Sequence, residues 1–257
     1  MARKPRTMVF IRLCIGVSLV LCIGCSSKER PVPPAIVSKL TLEDDAETIR
    51  VAIPVLKNPQ PDAVGPEIYE HMRLYFYQET GKRLQVEHVW LDDLQDFDPA
   101  LLHLVGSDSV DFELWEKQAI EVYVASGGTT LIENLGGEGG FATAIRDRFT
   151  GVFPGFDDRI SSRSDIITGR NLPEGSKSNR RLFYRDAVKQ VNPDGILLLR
   201  GWEVNGRYPV LLSFEDISLG MIGVNNDEIL GHRTESARDL MLNILLAAER
   251  QQKSQRY

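Results

Sequence analysis

No cysteine follows Cys25. The three that the chain contains, Cys14, Cys22 and Cys25, all lie within its first 25 residues. The rest of the chain therefore has neither a thiol nucleophile nor a disulfide partner, and packing alone must hold it together. Histidine is scarce as well. His71, His88, His103 and His232 are the only four, and none stands in an HxH or HExxH spacing, so the familiar sequence signatures of a hydrolytic metal site are missing and no metal is expected. A G-x-S-x-G nucleophile elbow is absent too. Positive charge is outweighed, with 30 Lys and Arg against 36 Asp and Glu. A nucleic-acid partner is excluded on that balance, because phosphate neutralisation needs a concentrated basic face.

What is present begins with the cysteines themselves. Arg3, Lys4 and Arg6 precede the apolar stretch MVFIRLCIGVSLVLCIGC, which ends in Gly24-Cys25. A basic start, an apolar core of this length and a small residue before a cysteine read as an exported bacterial lipoprotein leader. Residues 1–24 would then be the signal peptide and Cys25 the lipidation site. Cys22 stands three places before the cleavage point, where leucine is usual. The alternative, an uncleaved membrane helix, needs about 20 apolar residues, and this run is shorter and interrupted by Arg12. A multiply acylated Cys25 would hold the domain on a membrane surface, with the soluble part facing the periplasm of a bacterial envelope. Loss of the leader's four basic residues takes the formal charge from −6 to −10.

Residues 25–47, with the proline-punctuated SSKERPVPPAIVSKL, read as the lipidated cysteine and a tether. A single α/β domain is expected over residues 48–252, followed by a short tail over 253–257. Strands are predicted at IRVAIPVL (49–56), at 84–90, at 101–105 and at TTLIEN (129–134). Between them, helical spacing links Ile68, Met72, Tyr75 and Phe76, and again Phe112, Trp115, Ala119 and Val122. A glycine cluster, GGEGG, leads into a helix over 141–149. Such alternation predicts a mainly parallel sheet covered on both faces. Residues 151–195 read as an irregular excursion with a short helix near 185–190. The runs ILLLRGWEV and RYPVLLSF, joined by Asn205-Gly206, predict a hairpin, and a helix with one long apolar stripe starts at Thr234.

The ordered set VAIPVLK, YVASGGTTLIEN, RDRFTGVFPGF, NGRYPVLLSFEDISLGM and GHRTESARDLMLNILLAA resembles the domain of unknown function 4159 family over about residues 49–248. That resemblance implies a flavodoxin-like, three-layer α/β sandwich of the class I glutamine amidotransferase-like superfamily, without implying a reaction. The chain departs from the family at Gly106-Ser107-Asp108 and at Arg163-Ser164-Asp165. Amidotransferase chemistry needs a cysteine at a strand-to-helix turn, which this chain lacks. A serine variant would have to combine Ser107 with His232 and either Asp108 or Glu133. Gly137, Gly139 and Ala142 fit a phosphate-binding G-x-G-x-x-A spacing, with the acidic Glu133 and Glu138 set against an anion.

In a doubly wound sheet, ligands meet the carboxyl ends of the strands. Ser107, Asp108, Glu133, Asn134, Asn225 and His232 are therefore the candidate ligand-binding residues, with Lys57, Asn226, Glu215 and Asp216 nearby in the same reading. The expectation is a noncatalytic binding or scaffold domain, taking an envelope protein or a polar small molecule or glycan and requiring no cofactor. The alternative is a hydrolase or carbohydrate-active enzyme that uses the acidic and histidine residues of this rim.

Overall fold

The computed structural model describes residues 46–57, 64–155, 158–194 and 198–255. The leader, Cys25 and most of the tether lie outside the described residues. In chain order the elements are β1 (Thr48–Val55), α1 (Glu70–Thr80), β2 (Arg83–Trp90), α2 (Leu94–Phe97), β3 (Leu101–Gly106), α3 (Leu114–Ala125), β4 (Thr129–Asn134), α4 (Phe141–Phe149), α5 (Asp165–Thr168), α6 (Asp186–Val191), β5 (Arg200–Val204), β6 (Arg207–Ser213), α7 (Ser218–Ile222) and α8 (Thr234–Gln255). Pro66 opens a single 3-10 turn that runs into α1, where its missing N–H costs nothing. Gly81 closes α1 in the left-handed conformation (φ 68°), which only glycine adopts without strain.

The strands form one sheet in the order β2-β1-β3-β4-β6-β5. All neighbours are parallel except β5, which runs antiparallel to β6. The chain passes from β1 outward to β2 and then returns to the other side of β1 for β3, so the topological switch lies between β1 and β3, as in flavodoxin-like sheets. Asn205 and Gly206 link β5 to β6 with φ of 51° and 77°, the positive pair that a two-residue hairpin turn of matching twist requires.

Side-chain alternation sorts the strands into two cores. Val51, Leu101, Leu131 and Leu211 face a layer built from α1, α5, α7 and α8. Ala52, Leu102, Leu104, Ile132 and Leu212 face the opposite layer of α2, α3 and α4. Three layers result, as the alternating pattern predicts. α8 is the main prop of the first layer. Its Leu240, Met241, Ile244 and Leu245 are fully buried, each worth about 1.5–3 kcal/mol of apolar burial.

Two features differ from the sequence reading. Of the 112/115/119/122 stripe, Phe112, just before α3, is buried and Ala119 packs against the core, but Trp115 and Val122 point outward, 38% and 51% exposed, while Ile120, Tyr123 and Val124 turn toward the sheet. Both stripes have helical spacing, and the choice is made by Glu116. Its buried carboxylate accepts the backbone N–H of Glu113 at 2.8 Å and of Lys57 at 2.7 Å, which turns that side of the helix toward the end of β1. The 151–195 segment is also more than an excursion. Ile160, Ile166, Ile167, Tyr184 and Val188 are buried, and Asn243 of α8 binds the Ile166 carbonyl and both backbone groups of Lys177.

Candidate functional site

The polar centre of the domain begins with sheet periodicity. His103 lies two residues after Leu101 and Glu133 two after Leu131, so both side chains enter the same core face as those leucines. Parallel register sets Val105 beside Glu133, which makes His103 a diagonal neighbour of the carboxylate. His103 Nε2 is 3.0 Å from Glu133 Oε2, and His103 Nδ1 is 2.9 Å from the Tyr69 hydroxyl. Glu133 Oε1 accepts the backbone N–H groups of Ile217 and Ser218 at 2.8 and 2.7 Å, and Oε2 accepts the Ser218 hydroxyl at 3.0 Å. A tautomer with the proton on Nε2 satisfies the chain, with Tyr69 donating to Nδ1. Burial, and after it the charge of Glu133, pushes the Tyr69 phenol well above its ordinary pKa. Tyr69, His103, Glu133 and Ser218 are each 0% exposed. An unpaired charge in such a place would cost several kcal/mol, and these bonds remove that cost by tying three elements around one carboxylate.

A second buried group adjoins the first. Asp216 accepts Gly136 N–H at 2.8 Å and Gly220 N–H at 3.2 Å. Burial, followed by the negative charge of Glu133, pushes its carboxyl up to about 7. The Asp216 carbonyl accepts the His232 N–H, and the His232 carbonyl accepts Arg185 Nε–H at 3.0 Å. The His232 ring lies against Tyr184, with ring centroids 4.6 Å apart. Burial, assisted by the Arg185 charge, lowers the imidazole to about 3, so the ring is neutral over the physiological range.

The six candidate residues are therefore dispersed. Glu133 and His232 are interior, committed to the contacts above. Asn134 is buried on the opposite core face and accepts the Ala142 N–H at 2.7 Å, capping the start of α4. Ser107 is partly exposed and Asp108 exposed in the loop after β3, and the Ser107 carbonyl accepts the Gly140 N–H. Asn225 is exposed in the loop after α7 and lines a cleft of about 250 Å³ with Arg185, Arg233 and Thr234. Lys57 pairs with Glu113 at 2.9 Å. The serine triad fails on this placement, because His232 is spent on Tyr184 and the interior.

The glycine cluster is equally inward-looking. A Cβ on Gly137 would lie 1.8 Å from the Leu230 carbonyl oxygen, and one on Gly139 would lie 1.9 Å from that of Ser107. Close approach of backbones demands these glycines, and the one side-chain anion they meet is the protein's own Asp216 on Gly136 N–H. With Asn134 filling the first turn of α4, nothing in this loop is arranged as a phosphate cradle.

Two larger clefts open near the amino ends of the strands. One of about 310 Å³ lies between α8 and the β5–β6 turn, lined in part by Thr129, Arg207 and Arg250. The other, about 590 Å³, runs between α2 and α3 past Trp115, Val122 and Gly128. Among the described residues, no three His, Cys, Asp or Glu side chains are grouped to hold a metal ion, and no helix is long and apolar enough to cross a membrane.

Tyr69, Ser218 and Arg185 were not legible as polar partners. Tyr69 reads as one more apolar position of the 68/72/76 stripe. Ser218 sits in a five-residue helix too short to show a period, and Arg185 lies in the segment without strong periodicity. Comparison with protein-family models and with curated proteins returns no match to this chain.

Proposed function

We propose that the chain is a lipid-anchored protein of the bacterial envelope, tethered through Cys25, whose α/β domain binds a partner protein or a polar ligand and carries out no hydrolysis. The order of sequence motifs places it beside the domain of unknown function 4159 family in this reading. One observation carries the noncatalytic part. The groups suited to acid–base work at the sheet are all buried: His103, Glu133 and Asp216 are hydrogen-bonded to neighbouring elements, and the His232 ring is packed against Tyr184. General acid–base catalysis needs such a group within hydrogen-bond reach of a substrate atom, whereas these reach only protein.

The anchoring part rests on the leader residues alone. Cys25 supplies the thiol, the basic and apolar residues before it supply the export signal, and Ser26 is compatible with outer-membrane sorting in Gram-negative lineages. Gentle crosslinking in intact cells followed by recovery of the full-length protein tests the binding reading. A discrete envelope component should be captured, and recovery of only lipid and bulk envelope protein would contradict it. Turnover in a broad hydrolase screen that is lost on Asp108→Ala, with the fold retained, would favour the enzymatic alternative.

A further inference from the structure

Arg185 is the most unusual cation of the described domain. It is 2% exposed, and among the described residues it forms no ion pair. Nε donates to the His232 carbonyl at 3.0 Å and Nη1 to the Asn226 carbonyl at 2.7 Å. Nη2 is buried and has no hydrogen-bond partner among the described residues. A guanidinium withdrawn from water and left with an idle N–H edge is costly unless an anion completes it. Burial accordingly lowers its pKa, while Asp216 and Asp227 act from a distance in the other direction.

Arg185 is one of the residues lining the 250 Å³ cleft, with Asn225, Asn226, Arg233, Thr234 and Glu235. That volume equals roughly eight waters at liquid density, enough for a small organic anion. The cleft sits against the start of α8, a helix of 22 residues, whose N-terminal peptide dipoles favour negative charge. Acidic groups limit how much charge is welcome. Asp227 is held by Arg233 at 3.0 Å, and Glu235 stands in the first turn of α8. One idle planar N–H edge beside two carboxylates suits a monoanion better than a dianion.

We propose that this cleft binds the carboxylate of a small polar ligand, with Arg185 Nη2 as the charged donor and the exposed 223–228 loop as the wall that yields to admit it. The site rests on the binding reading of the domain and supplies its ligand class. A carboxylate fits because one of its oxygens can accept a charge-assisted hydrogen bond from Nη2, the one guanidinium nitrogen without a partner among the described residues. Asn225 at the mouth offers an amide that neither attracts nor repels the charge.

The experiment is calorimetric titration of the full-length protein in detergent micelles with sodium acetate at constant ionic strength, with chloride and inorganic phosphate as comparison anions. Hydrogen exchange of the 223–228 loop is followed in parallel. Acetate should bind saturably and slow exchange in that loop, phosphate should bind more weakly, and chloride should do neither. Asn225→Asp alters an exposed residue and adds a like charge at the mouth, so acetate should weaken about fourfold. Arg185→Gln should abolish binding, with circular dichroism reporting whether the fold survives. Absence of saturable acetate binding to the unaltered protein, equal response to all three anions, or indifference to Asn225→Asp would each overturn the site. Partner capture by crosslinking does not depend on any of these outcomes, so failure here leaves the binding reading separately testable.

Discussion

His232 and Asp216 should pull the pH dependence of stability in opposite directions, and replacing His232 should expose the imbalance. Burial lowers the His232 imidazole to about 3, whereas in the unfolded chain it takes up a proton near pH 6.5. Between those values the unfolded state binds more protons, so this group's contribution is present above about 6.5 and is lost on acidification. The slope is about 1.4 kcal/mol per pH unit. Asp216 behaves inversely. Its carboxyl is raised to about 7 and releases its proton near pH 4 when unfolded, so its contribution is present below about 4 and lost as pH rises to about 7. Through the shared window the two slopes nearly cancel. His232→Phe keeps an aromatic ring against Tyr184, 4.6 Å away between centroids, and removes one slope only. Relative to the unaltered protein, the variant should gain about 2–3 kcal/mol on going from about pH 6.5 to about pH 4.5. Urea unfolding of both full-length proteins in micelles across that range measures the difference. A difference that stays constant with pH would refute the neutral, buried imidazole.

Glu133→Ala removes the acceptor for His103, the Ser218 hydroxyl and two backbone N–H groups, and should cost about 3–5 kcal/mol in the same unfolding assay. Gly137→Ala must add a Cβ 1.8 Å from the Leu230 carbonyl at φ 71°, and should destabilise by about 4 kcal/mol or more. Its neighbour Gly136→Ala has φ 75° but open space around the added carbon, so it should lose only about 1–2 kcal/mol. Cys25→Ser should abolish incorporation of a labelled fatty acid and release the protein from the membrane fraction. Unchanged labelling would move the anchor elsewhere.

Much of the architecture is written in short-range pattern. Thr129–Asn134 is a strand because the mostly β-branched run Thr129–Ile132 follows Gly128 and stops short of the glycine cluster at Gly136, and Asn205-Gly206 carries the positive φ pair that its turn demands. The last helix is visible because 237, 240, 241, 244, 245 and 248 share one face. What remained hidden depends on tertiary choice. Two apolar stripes compete on α3, and a hydrogen bond from Lys57 to Glu116, 59 residues apart in sequence, selects between them. Glu133 at a strand's carboxyl end looks like a ligand group by position. Nothing local reveals that α7, itself only five residues long, will fold over it and satisfy both oxygens. Arg185 is the same case in reverse, a cation in a weakly periodic segment whose burial is set by the loops around it.

The central claim, that the acid–base groups of this domain are sealed inside and serve the fold, is most directly tested at the histidines. His71 and His88 are exposed, whereas His103 and His232 are buried. Carbethoxylation of the native full-length protein with diethyl pyrocarbonate, read out by peptide mass spectrometry, should modify His71 and His88 promptly. His103 and His232 should react only after denaturation, and modification of either in the folded protein at a rate like that of His71 would contradict the account.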